Sequence, residues 1–466
     1  MSYKSVRHTI DSDPENHLAP WIDNCSVVDD SSIAKLIDKS INRLKEDLAF
    51  TEGTSILYLI LSNWRQGKVM DNYLDSNESF RKKNGFPKED CEEFPDVCDC
   101  PICFETYPRD ECVLMPCGHM FCKHCFESHL LSVMNNAFPS PIVTCLCTAN
   151  SKACKCPINP DYILNLKNDS ILSWYKKRII QHYITFSPTL CACKNSNGKC
   201  TNIICRSATY TGAIYCPCGS FMCGMCKELY HEPIPCAMCS SFLDMMDNNK
   251  DQWLIERVKA CPHCKCKIEK NEGCNHMICN NCNYQFCWVC MGDWSKHATT
   301  YYTCNRINDS HVQYETAKTL NSLVGDLDRT GFFVTRYKNH LESYKKNQTL
   351  LLHFVKDDYK SVFVNHLELA VQQVLYNHLI LASTYIYAYN HVDNKQILDL
   401  FYDWQGRLEQ NNEQLQDIIL DLVDSMSYPS FMEQSDSFFN DKIHSLNSIV
   451  EKNYSFRTQV ISAIKY

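Results

Sequence analysis

Thirty-two cysteines and 17 histidines in a chain of 466 residues are the side chains here best suited to chemistry. All the cysteines lie between Cys25 and Cys304, many of them as Cys-x-x-Cys or Cys-x-Cys pairs. A Cys-x-x-Cys pair presents two thiolates to one ion without strain, and a tetrahedral structural zinc needs four thiolate or imidazole ligands. The pairs gather in three clusters, each parsed as seven cysteines and one histidine. The first is Cys100, Cys103, Cys117, His119, Cys122 and Cys125 with two more from Cys145, Cys147, Cys154 and Cys156. The second is Cys191, Cys200, Cys216, Cys218, Cys223, Cys226, His231 and Cys236, where Cys193 and Cys205 compete for the places of Cys191 and Cys200. The third reads as Cys261, Cys264, Cys279 and Cys282, followed by Cys287, Cys290, His297 and Cys304. Twenty-four ligands taken in fours imply six zinc ions, and the third cluster is complete without Cys274.

Bulk properties narrow the remaining choices. A formal net charge of −8 lacks the positive field that nucleic acid binding needs. The longest apolar stretch, near Leu379 to Tyr389, is too short to span a bilayer. The first thirty residues have no apolar core of the kind an export signal carries, so the cysteines are expected to bind metal rather than form disulfides. The expected location is the cytoplasm, with the nucleus second, and neither nucleic acid nor membrane is an expected partner.

The elements that must position these ligands follow from periodicity. Residues 1–30 read as a disordered tail. Ile33, Leu36, Ile37, Ile41 and Leu44 share one helix face and open a helical module over 31–85. Within the cysteine territory, helix-like connectors fall near 171–184 and 253–258. After Cys304 there is no proline until Pro429, and Leu367, Val371, Val374 and Leu375, then Phe401, Trp404, Leu408, Leu415 and Leu422, repeat at helical spacing. The expected fold is multidomain, with small zinc-stabilised modules between an N-terminal helical module and a C-terminal all-α bundle.

The string CPICFETYPRDECVLMPCGHMFCKHC resembles a RING finger, in which ligands interleave. That resemblance assigns Cys100, Cys103, Cys122 and Cys125 to one ion, and Cys117, His119, Cys145 and Cys156 to the other, the last two chosen for their flanks VTC and CPINPDYIL. CPCGSFMCGMCKELYHEPIPC resembles the in-between-RING module. With the third cluster, the order resembles a RING-in-between-RING ubiquitin ligase. Residues 31–85, with LILSNWRQGKVMDNYLDSN, resemble the ubiquitin-associated-like domain of its Ariadne subfamily, and FVTRYKNHLESY resembles the opening of that subfamily's C-terminal domain. The expected domains are a first RING at 96–160, linker helices at 161–188, an in-between-RING module at 189–240, a linker helix at 241–259, a catalytic second RING at 260–305 and an Ariadne-like helical domain at 311–466.

The resemblance implies a chemistry. Cys274 would accept ubiquitin from a conjugating-enzyme thioester, and His276 would take the proton that a substrate lysine must lose during aminolysis. Relatives carry an acid where this chain has Gln285, which could orient His276 but would not stabilise its charge equally. Ile102 is expected to help recruit the conjugating enzyme. Pro157 stands where directly acting RING ligases often place a cation, which fits a thioester left open for transfer to Cys274. The helical module is expected to bind ubiquitin or the ubiquitin-like modifier on cullin-type ligases. The C-terminal domain is expected to restrain the catalytic module, although its KKNQ segment departs from the family's inhibitory pattern.

Overall fold

The computed structural model describes residues 18–74, 77–87, 95–135, 140–149, 152–195, 200–248, 258–269, 276–288, 291–297, 321–356, 362–391 and 395–465. The chain divides into two compact units, one of Val27–Ala192 with Asn202–Cys205, the other of Met1–Ser26, Cys193–Thr201 and Arg206–Tyr466.

Residues 18–30, expected to belong to a disordered tail, carry ordered structure. Leu18, Ala19 and Trp21 are buried, and Trp21 opens a one-turn helix α1, Trp21–Asn24. The Trp21 indole stacks on Tyr376 at 4.8 Å, meets Phe221 edge-on at 5.0 Å and donates to Gln372 at 3.0 Å. A large aromatic ring with its N–H satisfied is enough to order a segment that has no periodicity of its own.

In the unit built on Val27–Ala192, helices α2 (Asp30–Leu48), α3 (Glu52–Leu61), α4 (Gln66–Leu74) and α5 (Asn77–Lys83) form the N-terminal module. Helix α2 is capped by Asp29, which accepts from the Ser32 N–H at 2.8 Å, and it buries Ile33, Ile37, Ile41 and Leu44. Helix α6 (Lys123–Asn135) follows the first zinc knuckles, and α7 (Pro160–Leu164) and α8 (Asp169–Phe186) lead away from them. The N-termini of α3 and α7 are tied together by side-chain hydrogen bonds. Asp161 accepts from the Gly53 N–H at 2.8 Å and from the Thr51 hydroxyl, while Asn159 donates to Thr54 at 3.3 Å. A Cβ at Gly53 would collide with the Asp161 backbone nitrogen, so glycine is required by close approach. Trp64 donates its indole N–H to His182 Nδ1 at 2.9 Å, tying this module to α8.

In the other unit, helix α9 (Cys236–Asn248) takes the connector role. The sequence analysis expected a linker helix at 241–259 with helix-like spacing near 253–258; α9 covers the first part, residues 249–257 lie outside the described ones, and Val258 begins a strand, Val258–Ala260, paired with Lys267–Glu269. The expected C-terminal bundle is present as α10 (Asn321–Lys356), α11 (Val362–Asn390), α12 (Lys395–Met426), the short α13 (Pro429–Met432) and α14 (Asp436–Lys465). Helix α11 is buried nearly all round, which makes it the bundle's central helix.

The bundle core is partly polar. Arg457 donates to Gln373 at 2.7 Å and to Asn377 at 2.9 Å, and His340 and His378 face each other at 3.2 Å through their Nδ1 atoms. The bundle also packs on the segment 214–230. The Tyr344 hydroxyl donates to the Gly219 carbonyl at 2.9 Å and accepts from the Phe221 N–H at 3.1 Å, and Tyr376 and Tyr230 share a hydrogen bond of 2.9 Å. Among the described residues, no helix is long and apolar enough to cross a membrane.

Candidate metal centres

One backbone turn recurs at five of the Cys-x-x-Cys pairs, those at Cys122 and Cys236 lying instead at helix starts. The residue after the second cysteine turns into the left-handed region and donates its N–H to the first cysteine's carbonyl. This holds for Phe104 on Cys100, Lys227 on Cys223, Lys265 on Cys261, Asn283 on Cys279 and Met291 on Cys287, at 2.7 to 3.0 Å. The first cysteine's own N–H then bonds the carbonyl one residue further on, as Cys100 does to Glu105 and Cys261 to Cys266. The turn folds the chain tightly around the two sulfurs and places both on one side. It costs backbone strain at non-glycine residues, which a bound ion offsets.

Among the described residues, five groups of four ligand atoms result, each with its atoms within 4.8 Å of one another. They are Cys100, Cys103, Cys122 and Cys125; Cys117, His119, Cys145 and Cys154; Cys193, Cys200, Cys216 and Cys218; Cys223, Cys226, His231 and Cys236; and Cys261, Cys264, Cys279 and Cys282. Sulfur separations such as Cys103–Cys122 at 3.9 Å, Cys261–Cys282 at 3.8 Å and Cys264–Cys279 at 3.6 Å suit one ion. Four sulfurs around zinc at about 2.3 Å stand about 3.8 Å apart. The two histidines use different nitrogens. His119 turns Nδ1 toward Cys117 at 3.1 Å, whereas His231 turns Nε2 toward Cys226 at 3.3 Å and anchors Nδ1 on the Ile234 carbonyl at 3.0 Å. A ring nitrogen held by a carbonyl orients the other for a metal.

Each group contains one thiol driven toward thiolate. Burial would raise Cys100, but backbone N–H groups at Cys103, Cys122 and Ile102 outweigh it and bring it down to about 6. Asn281 and the Cys266 backbone lower Cys264 to about 6. Cys223 also falls to about 6, where burial is overcome by the hydrogen bond to His231. Cys117 lies far below the usual thiol range because Cys145 and Cys156 donate to it, and Cys218 does because Cys193 and Cys216 do. Sulfur donors this close, sharing protons around one thiolate, are a donor set suited to a soft or borderline divalent cation such as zinc.

The structure departs from the sequence-derived ligand sets at two places. Cys193 joins the third group in place of Cys191, which lies inside the strand Leu190–Ala192, buried, opposite Ile204, with its thiol on the Ala192 carbonyl at 3.4 Å. Cys154 joins the second group in place of Cys156, although Cys156 still engages Cys117. In both cases the alternatives are two residues apart and therefore project from one face of extended chain. Of the last expected group, Cys287 is buried and carries the knuckle turn, while Cys290 and Cys304 lie outside the described residues, as does the side chain of His297.

Cys274 also lies outside the described residues. His276 begins the strand His276–Ile278, which pairs with Gln285–Cys287 so that His276 stands opposite Cys287 and Ile278 opposite Gln285. Pro157 is buried opposite Thr144. Ile102 is 45% exposed at its knuckle. Sequence reasoning missed two stronger cases, Phe104 at 88% and Met225 at 86% exposed. Their signal was an apolar residue in or just after a knuckle, where the tight turn leaves a side chain nowhere to bury.

Residues 256–306 match the IBR domain family. The match spans Cys261 to Cys304, the segment assigned above to the second RING, so that segment also carries the IBR pattern. Among curated proteins, the chain is similar to E3 ubiquitin-protein ligase ariadne-1 of Drosophila melanogaster, 26% identical over 76% of this chain and 73% of that protein. It is similar to probable E3 ubiquitin-protein ligase ARI8 of Arabidopsis thaliana, 26% identical over 92% of this chain and 79% of that one. It is also similar to human E3 ubiquitin-protein ligase ARIH1, 25% identical over 78% of this chain and 68% of that one.

Proposed function

From the premise that this chain is a RING-in-between-RING protein of the Ariadne subfamily, we propose that it is a ubiquitin ligase that carries ubiquitin on Cys274. The observation that carries the reading is the group Cys261, Cys264, Cys279 and Cys282. It is complete with four thiols, although Cys274 falls between its second and third members in sequence. An ion with four thiolates has no use for a fifth, so Cys274 is available for chemistry.

In the proposed cycle, the Cys274 thiolate attacks the ubiquitin thioester on a conjugating enzyme, a new C–S bond forms, and the enzyme's thiolate leaves. One thioester replaces another without redox change. A substrate lysine then attacks the Cys274 thioester, an amide forms, Cys274 leaves as thiolate, and the amine's proton passes to His276. Gln285, two rungs from the pair His276–Cys287, could orient that histidine. Zinc, when bound, supplies the fixed geometry of the knuckles, with six ions expected. The knuckle residue Ile102, with Phe104 beside it, would receive the conjugating enzyme. Helices α2 to α5 would receive ubiquitin or the ubiquitin-like modifier of a cullin-type ligase, and the site of action would be cytoplasmic or nuclear.

We also propose that the C-terminal bundle restrains loading. Tyr344 and Tyr376 clasp the segment from Gly219 to Tyr230, so the bundle could hold the in-between-RING module in one arrangement. Deleting the bundle would strip apolar cover from Phe221 and Trp21, so point changes test the idea more cleanly than truncation.

The test is single-turnover transfer from a charged conjugating enzyme to the full-length chain. A reducible ubiquitin adduct should form on the wild type, Cys274→Ser should trap a slower-forming oxyester, and His276→Ala should load normally but discharge slowly. Ubiquitination at the wild-type rate by Cys274→Ala would overturn the transferase reading in favour of a scaffold.

A further inference from the structure

The strand pair Thr148–Ala149 and Lys152–Ala153 is the tip of a longer ladder. Cys154 donates its N–H to the Cys147 carbonyl, Cys145 to the Cys156 carbonyl and Ile158 to the Val143 carbonyl, each at 2.8 Å. Thr144 faces Pro157, in the same register as Thr148 facing Ala153. The register therefore sets Cys147 opposite Cys154 and Cys145 opposite Cys156. Residues directly opposite, and residues two apart, share a face of a sheet, so all four thiols project from one side of this hairpin.

Cys117 and His119 meet that face from outside it. Cys145 contacts His119 at 3.6 Å, and with Cys117 these make three ligands, leaving one place on a tetrahedral ion. Two thiols reach it. Cys154 lies within 4.8 Å of all three, and Cys156, buried two rungs away on the same face, stands directly opposite the ligand Cys145. Their Cα atoms stand roughly 6.6 Å apart along the strand. Rotation about χ1 can bring either sulfur to the space between them.

We propose that Cys154 and Cys156 are interchangeable fourth ligands of the zinc site formed with Cys117, His119 and Cys145, so that the ion survives the loss of either thiol. The inference rests on reading these groups as zinc sites. Exchange replaces one Zn–S bond with another, and the ladder keeps both thiols on the ion's side whichever is bound. The first RING-like module would thus tolerate oxidation or alkylation of one thiol that would empty a site with four dedicated ligands. Cys147, opposite Cys154, is the control: it shares the face but belongs to no group of four ligand atoms among the described residues.

The test is elemental analysis of full-length protein as wild type, Cys154→Ser, Cys156→Ser, the double variant, Cys117→Ser and Cys147→Ser. Both singles and Cys147→Ser should keep the wild-type zinc content, whereas the double variant and Cys117→Ser should each lose one ion per chain. Cobalt substitution gives a second readout, because each single should keep the wild-type intensity of thiolate-to-metal charge transfer. If one single loses an ion as Cys117→Ser does, or keeps it with a weaker band because water fills the place, that thiol is a dedicated ligand and the proposal falls. Retention of the ion by the double variant would place the fourth donor elsewhere and also overturn it. Should the double variant not fold, the two singles still decide. A wild type without zinc would instead overturn the zinc reading itself, before any variant is compared.

Discussion

The zinc-bearing stretch and the C-terminal bundle reach order by different routes. Between residues 96 and 297 the strands are two to four residues long and pair as isolated hairpins or small sheets, a size that is marginal in water without further support. Among its described residues, the third module has a buried apolar cluster of Cys261, Cys279, Phe286 and Trp288, and two of these four are ligand candidates. In the bundle, α11 buries side chains from Phe363 to Ala388 against three other long helices. On the zinc reading, metal bonds dominate in these small modules and apolar burial in the bundle, so one perturbation should separate them.

Chelation should give the largest effect. Structural zinc contributes apparent folding free energy on the order of 10–16 kcal/mol per site in small zinc peptides, far more than these hairpins can supply alone. Hydrogen exchange after zinc removal should show fast amides across the knuckles, with α11, α12 and α14 still protected. The hairpin of Ile214–Cys216 and Ser220–Met222 should open last, because Phe221 and Tyr215 belong to the core shared with the bundle. Simultaneous loss of protection in both regions would break the comparison and make the chain one cooperative unit.

The converse perturbation is smaller. Ile386 is fully buried in α11, and Ile386→Ala should cost about 2–5 kcal/mol from lost transfer and the cavity left behind. Denaturant unfolding followed by helical signal would show the loss, and zinc content should stay at the wild-type level. A drop in zinc would mean that the bundle core supports the metal sites.

These two routes differed in how well they could be read from the sequence. Tetrahedral coordination constrains spacing so tightly that the knuckles at Cys100, Cys223, Cys261 and Cys279 stood out as pairs, and the helix face of Ile33, Ile37, Ile41 and Leu44 did so by period. The choices of Cys193 over Cys191 and of Cys154 over Cys156 did not stand out. Thiols two apart on a strand are equivalent to any spacing rule and share one face, so only where the other ligands lie along the strand distinguishes them. Trp21 was missed because its partners Gln372 and Tyr376 lie some 350 positions away, beyond any local pattern. The connector helix Cys236–Asn248 begins five residues before the linker helix expected at 241–259, because Cys236 was read as a ligand and not also as a helix start.

The smallest effect concerns pH and sharpens the comparison at a site without metal. His182 on α8 accepts the Trp64 indole N–H at Nδ1 and lies 4.6 Å from the Phe186 ring, and burial pushes its pKa from 6.5 down to about 4. Between those two values the unfolded chain binds a proton that the folded chain does not. Stability must therefore fall as pH drops from about 6.5 toward 4, and be flat for this group on either side. Because the ring is partly exposed, the loss is roughly 1 kcal/mol rather than the full value that the shift would imply. Acid also displaces zinc by protonating cysteine ligands, so the informative quantity is the difference between wild type and His182→Gln, which keeps an acceptor for Trp64 but cannot titrate. The melting temperature of the wild type should decline more steeply than that of the variant between pH 6.5 and 4.5, by a few degrees. Identical slopes would mean that the Trp64–His182 contact does not contribute to acid sensitivity, leaving the metal sites as its source.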